Sequence, residues 1–170
     1  TGGANGLGQC LAKKCIALGA TVIILDVMPV DLSELEASSP GKLFYFSCDV
    51  GDAEAVRQVA AFILQDIGVP SVVINNAGIQ HSRFLTDLST EAFDRLLQTN
   101  LHAHFYLAKA FLPAMMLRGG HLIAIASCLG LVGLPKCIDY CTSKWGVVGL
   151  MESLRMEMAL LKAPVRTTTV

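Results

Sequence analysis

With 170 residues, 53% of them hydrophobic, and a formal net charge of −1, the chain suffices for one domain with a sizeable core and carries no basic footprint for nucleic acid. It holds no run of about eighteen apolar residues; the most apolar stretch, Leu107 to Ala126, is broken by Lys109, Arg118 and His121, so no transmembrane helix is expected within these residues. The cysteines at 10, 15, 48, 128, 137 and 141 form no Cys-x2-Cys pair and no partnered histidine spacing. That argues against zinc and reads as small core residues of a reducing compartment.

Thr1-Gly-Gly-Ala-Asn-Gly-Leu-Gly8 is a glycine-rich turn, and Leu11, Ile16 and Leu18 give the next residues the period of an amphipathic helix ending at Gly19. Gly2, Gly6 and Gly8 would let the backbone of this turn, with Asn5 and Leu7, approach a ligand closely. The helix amino terminus behind them offers N–H groups and a positive dipole to a pyrophosphate. As a lone motif it is equally compatible with a flexible loop. Thr21 to Asp26 is a buried-type strand ending in a carboxylate eighteen residues after Gly8. An acid at that distance accepts hydrogen bonds from an adenosine ribose and repels a 2′-phosphate. No Arg or Lys lies between Lys14 and Lys42, which favours NAD over NADP. Asp26 also suits a plain strand-end turn.

Val27 to Gly41 is polar and leaves room for a short helix only. Leu43 to Val50 reads as the next strand, with Asp49 and Val50 at its end. Asp52 could cap a helix running through Val56, Val59, Ala60, Ile63 and Ile67, closed by Gly68 and Pro70. Val72 to Gly78 is a strand running into the tight turn Asn75-Asn76-Ala77-Gly78. A longer helix is expected from about Ser89 to Leu112, with Asn100 in its middle and Pro113 kinking or ending it. His121 to Ala126 is a strand that delivers Ser127 at its carboxyl end. The helix bearing Tyr140 and Lys144 reaches about Leu161, and the β-branched Val165 to Val170 forms a last strand.

Alternating strand and helix patterns predict an α/β fold: a doubly wound, Rossmann-like parallel sheet in three α/β/α layers. Ligands of such sheets bind outside the strand carboxyl ends. Gly2–Gly8, Asp26, Asp49, Asn75–Gly78 and Ser127 all fall there. Tyr140 and Lys144, four apart, share a helical face. A phenol titrates near pH 10, and a neighbouring cation favours its phenolate. Tyr140 is then the acid/base, Lys144 its tuner, and Ser127 the group orienting a substrate oxygen. An ordinary helix surface also offers such pairs.

Taken jointly, Thr1-Gly2-x3-Gly6-x-Gly8, Asn75-Asn-Ala-Gly78, Asn100 and Ser127-x12-Tyr140-x3-Lys144 resemble the short-chain dehydrogenase/reductase family. Asn100-Leu-His-Ala-His-Phe, Lys109-Ala-Phe-Leu-Pro-Ala-Met, Gly120-His-Leu-Ile and Asp139-Tyr-Cys-Thr-Ser-Lys are similar to its retinol and 17β-hydroxysteroid dehydrogenase branch. The resemblance implies hydride transfer between a nicotinamide and the hydroxyl or carbonyl of a small lipophilic alcohol, ketone or aldehyde. It implies that Lys144 also contacts the nicotinamide ribose and that Asn100 positions a proton-carrying water. Asn75, Asn76, Ala77 and Gly78 would shape the cofactor turn, and Asp49 and Val50 would approach the adenine.

By the same resemblance the chain is one domain incomplete at both ends, lacking a central strand before Thr1 and a segment after the last strand. The branch often carries an amino-terminal anchor, so the endoplasmic reticulum membrane or lipid droplets are suspected, through segments outside this chain. A rival reading is a catalytically inactive nucleotide-binding or dimerising protein. A homodimer is expected through Val147 to Leu161 and the helix around Asn100, with Gly146 and Gly149 allowing close backbone approach. His81, His102, His104 and His121 show no ligand spacing with cysteine or acidic partners and are assigned structural or surface roles. Met151, Met156 and Met158 are assigned to packing, and nothing marks Cys141 as reactive.

Overall fold

The computed structural model describes residues 1–30 and 40–170. In chain order these form α1 (Gly6–Ala17), β1 (Thr21–Asp26), β2 (Lys42–Ser47), α2 (Ala53–Phe62), β3 (Val72–Asn75) and α3 (Thr90–Leu97). There follow α4 (Ala103–Arg118), β4 (Gly120–Ala124), α5 (Ile138–Leu160) and β5 (Val165–Thr169). The short helix expected within 27–41 falls largely outside the described residues.

Local chemistry explains most boundaries. Asn5 caps α1 by accepting from the Gly6 N–H, and the chain leaves the helix through Leu18 and a left-handed Gly19. Asp52 caps α2 by accepting from the Glu54 and Ala55 N–H groups. A π-helical turn, Ile63–Ile67, extends α2 to Gly68. Ser89 caps α3 through the Ala92 N–H.

The long helix expected around Asn100 is found, running without a break from Thr90 to Arg118; a π-helical turn, Gln98–His102, joins α3 to α4, and Asn100 lies in it, buried. Such turns widen the helix by one residue and recur at functional sites. Pro113 does not end the helix: α4 continues to Arg118 with Pro113 inside. The pyrrolidine removes one donor, yet Leu107, Phe111 and Met115 bury one face of α4, and that burial carries the helix past the missing bond.

All strand pairs are parallel. β1 pairs with β2 in the register Thr21↔Lys42 to Asp26↔Ser47. β3, β4 and β5 pair side by side, with Asn75 opposite Ala124 and Ala124 opposite Thr169. The expected single sheet is therefore found as two among the described residues, β2-β1 and β3-β4-β5. Between β1 and β3 lies a slot of about 520 Å³ lined largely by apolar residues of Thr21–Leu25 and Pro70–Ile74, with Leu107 and Phe111 beneath. The slot is bridged at one end: the Gly2 N–H donates to the Leu25 carbonyl and the Thr1 amino group to the Ile74 carbonyl.

Successive residues of β1 enter different cores, as strand alternation requires. Ile24 joins Ala12, Ile16 and Leu43 beneath α1. Leu25 joins the larger cluster with Val56 and Ala60 of α2, Phe111 of α4 and Val147 of α5. Helices thus cover both faces, giving the three layers expected. The buried cysteines are 48, 137 and 141; Cys10 and Cys128 are exposed, which corrects their assignment to the core. Met151 and Met158 are buried, whereas Met156 is exposed.

Candidate active site

Because every strand is parallel, Asp26, Asn75 and the residues after β2 and β4 emerge at one edge. The glycine turn is folded onto that edge by side chains from two others. Asp26 accepts the Ala4 N–H on one carboxylate oxygen and the Met28 N–H on the other, both at 2.9 Å. Asn76 donates from its amide to the Thr1 and Gly2 carbonyls at 3.0 and 3.2 Å. Thr1 Oγ1 accepts from the Asn76 and Ala77 N–H groups. Gly8 has no alternative: a Cβ there would lie 2.0 Å from the Gly2 carbonyl oxygen and 2.6 Å from Asn76 Nδ2. Gly2, at φ +66, is pressed against Ala77 in the same way.

Above Gly6 the space is open, since a Cβ there would meet nothing within 4 Å. The backbone at the start of α1 is thus bare to a ligand, with exposed Leu7 beside it. A helix amino terminus behind a bare glycine turn, with a carboxylate at the end of β1, suits a nicotinamide dinucleotide: pyrophosphate on the N–H groups, ribose hydroxyls on Asp26. Asp49 is more committed. It accepts the Gly51 N–H at 2.9 Å and pairs with Arg95 of α3 at 2.7 Å. Burial raises its carboxyl, but the Arg95 and Gly51 hydrogen bonds and the Arg95 charge outweigh that and hold it below the usual range. Val50 is buried.

The acid/base group is built from α5 and the end of β4. Lys144 is 3% exposed and donates to the Ile125 carbonyl at 2.7 Å, two residues before Ser127. Its Nζ lies 5.5 Å from the centre of the Tyr140 ring. Burial lowers its pKa to about 8. Tyr140 is half-buried, open enough for a substrate to reach. Ser127 caps the short 3₁₀ turn Cys128–Gly130, its Oγ accepting the Leu129 N–H at 3.1 Å. Asn100 closes on the turn after β3: Oδ1 accepts the Ile79 N–H at 2.8 Å and Nδ2 donates to the Ile79 carbonyl at 2.7 Å. Its Nδ2 is also 3.4 Å from Ser143 Oγ, next to Lys144. Gly78 lies against Asn100, where a Cβ would stand 3.4 Å from Oδ1.

Asn100 thus reaches Ser143, which donates to the Tyr140 carbonyl, and the next residue, Lys144, is held on Ile125, two residues before Ser127. Three further polar residues stand nearby, and of these only Asn75 is marked by the sequence. Asn75, 2% exposed at the end of β3, has neither amide atom partnered. His104, one turn beyond Asn100, is buried with Nδ1 unpartnered; burial first, then the Lys144 ammonium and the Thr1 amino group, push its pKa down to about 3. His81, given a structural or surface role, has an acidic partner far off in sequence: its Nδ1 is 2.8 Å from Asp139 Oδ2, across fifty-eight residues. Spacing could not reveal a pair so distant.

A parallel, doubly wound sheet with a glycine turn at one edge and a tyrosine–lysine pair beside it defines a dinucleotide-binding α/β protein. The chain matches the family model for short chain dehydrogenase over residues 1–170 and belongs to that family. It is 36% identical over 176 residues to short-chain dehydrogenase/reductase family 16C member 6 of Bos taurus, covering all of this chain and 56% of that protein. It is 34% identical over 200 residues to retinol dehydrogenase 10 of Homo sapiens, covering 100% and 59%. The chain thus spans little more than half the length of these relatives. A metagenomic short-chain oxidoreductase in complex with NADP superposes with a TM-score of 0.91 at 31% identity, covering 99% of this chain and 77% of that one. A 4-hydroxyisoleucine dehydrogenase complexed with NADH and succinate gives 0.88 at 25% identity, covering 99% and 75%.

Proposed function

We propose that the protein is an NAD-dependent dehydrogenase of lipophilic alcohols, retinoid- or steroid-like. The observation that carries this is Lys144: a buried ammonium held on the Ile125 carbonyl, beside the Tyr140 ring and two residues from Ser127. Burying a cation is costly unless its charge is used. Here it supports negative charge developing on the phenol.

A nicotinamide bound over this edge would exchange hydride with the carbinol carbon. In oxidation the Tyr140 phenolate takes the hydroxyl proton, Ser127 Oγ hydrogen-bonds the substrate oxygen, and Lys144 stabilises the anionic phenol before the transfer. The proton-carrying water that the resemblance assigns to Asn100 would have to share a side chain already bonded to Ile79. Asp26, with no lysine or arginine between Lys14 and Lys42, supports NAD over NADP.

Self-association is part of this reading. Trp145, Met156, Leu160 and Leu161 of α5 and its end, and Phe105 of α4, stay exposed and apolar. Around Gly149 the space is open, which suits a partner helix. Gly146 is spoken for: a Cβ there would meet the Leu101 side chain at 2.8 Å, so its close approach is made within the chain. No helix among the described residues is long and apolar enough to cross a membrane. The reading is tested by following NADH formation from a retinoid alcohol and a hydroxysteroid with the full-length protein, beside Tyr140→Phe.

A further inference from the structure

Two segments flank Tyr140, residues 79–85 after the β3 turn and residues 133–139 leading into α5. They are stitched together at four points. The Arg83 N–H donates to the Lys136 carbonyl at 3.0 Å, and Gln80 Nε2 approaches Cys137 Sγ at 3.8 Å. Lys136 Nζ lies 4.7 Å over the Phe84 ring. The fourth point is the His81–Asp139 contact, the innermost and the most enclosed. Asp139 is 1% exposed, and its two oxygens are divided between two partners. Oδ2 meets His81 Nδ1, and Oδ1 accepts the backbone N–H of Tyr140 itself, both at 2.8 Å.

One carboxylate therefore ties the loop after the cofactor turn to the amide of the acid/base residue. Asn100 anchors the same loop from its other end at Ile79. Between the two stitched segments lies a largely apolar groove of about 580 Å³, walled by Phe84 and Leu85 on one side, Leu134 and Ile138 on the other, and floored by Cys141 and Trp145. Its walls are the segments the pair joins. A buried carboxylate needs partners, but a nearby backbone donor or water would have satisfied it. A histidine from the opposite wall makes that satisfaction depend on where the wall stands.

We propose that His81 and Asp139 are positioning residues, a clasp that fixes the substrate-side loop on the first turn of α5. It holds the groove walls and Tyr140 in register for an apolar alcohol. The groove's role as the seat of the alcohol's hydrocarbon part rests on the dehydrogenase reading above; the clasp does not.

Two measurements on the full-length protein separate these. In amide hydrogen exchange, His81→Ala should speed exchange in 79–84 and at Tyr140 about tenfold, with β4 unchanged. In kinetics, the same variant should raise KM for a long-chain alcohol about tenfold with kcat within about twofold, and leave NADH affinity unaltered. Asp139→Asn, which keeps an acceptor for the Tyr140 N–H and a donor for His81, should restore most of what Asp139→Ala loses. Unchanged exchange in both segments overturns the clasp. So does an increase that includes β4, which would show general loosening. Faster local exchange with unchanged KM overturns the link to substrate, and a kcat loss matching Tyr140→Phe makes the pair chemical rather than positional. If no alcohol is oxidised by the unaltered protein, the function reading fails while the exchange result still decides the clasp.

Discussion

Asn100 holds Ile79 by both of its backbone groups, accepting the N–H at 2.8 Å and donating to the carbonyl at 2.7 Å. A side-chain amide used as a two-point clamp does what a paired strand would do, and it does so just after the turn that follows β3. Asn100→Ala strips both partners at once. Denaturant unfolding should show a loss of roughly 1–3 kcal/mol. Asn100→Asp, which keeps the acceptor but sets a second oxygen against the Ile79 carbonyl at a buried site, should lose at least as much. Equal stability of all three proteins would mean the clamp is dispensable.

Tyr140→Phe removes one hydroxyl from the half-buried ring and no backbone contact. Turnover should fall by about 10²–10⁴, the usual worth of a positioned acid/base. NADH binding, read by fluorescence titration, should stay within experimental scatter of the unaltered protein.

The proposed preference for NAD adds a second role to the one the structure gives Asp26, and a blunt substitution would confuse the two. The Asp26 oxygens brace the Ala4 and Met28 amides, so Asp26→Ala should loosen the glycine turn and weaken both cofactors. Asp26→Asn can keep an acceptor for the turn while removing the charge that repels a 2′-phosphate. Its ratio of kcat/KM for NAD over NADP should drop well below that of the unaltered protein, and an unchanged ratio would assign the preference elsewhere.

His104 predicts a pH dependence of stability. Its pKa falls from 6.5 in the unfolded chain to about 3 in the folded one, chiefly by burial. Between those values the unfolded chain binds the extra proton. Stability from this group is therefore complete above pH 6.5 and falls as pH drops towards 3, by up to about 1.4 kcal/mol per unit. His104→Asn should flatten the Tm-against-pH curve between pH 6 and 5, above the range where ordinary carboxylates titrate. Parallel curves for the two proteins would contradict the shift.

Much of this arrangement was legible from local pattern. The strand beginning at Thr21, the Asp52 cap and the Tyr140–Lys144 face are set by residues within a few positions of one another, and each stands as the sequence predicts. Asp26, Asn75 and Ser127 share an edge because parallel pairing puts every strand's carboxyl end on one side. What was not legible depends on partners far away in sequence. Pro113 predicts a break, but the buried face of α4 outweighs one missing donor. Gly146 is a small residue on an apolar helix, and nothing local says that its neighbour is Leu101 rather than a second chain. The His81–Asp139 contact joins a loop to the first turn of α5, fifty-eight residues on, where no local periodicity can register it.

The central claim is that Tyr140, beside a buried Lys144, moves a proton while hydride passes between an alcohol and a nicotinamide. The most direct test is single-turnover NADH formation by the full-length protein saturated with NAD, mixed with a retinoid alcohol or a hydroxysteroid. The unaltered protein should give an NADH signal, and Tyr140→Phe should lose it despite normal cofactor binding. Absence of NADH with the unaltered protein, or an equal signal from both, would contradict it.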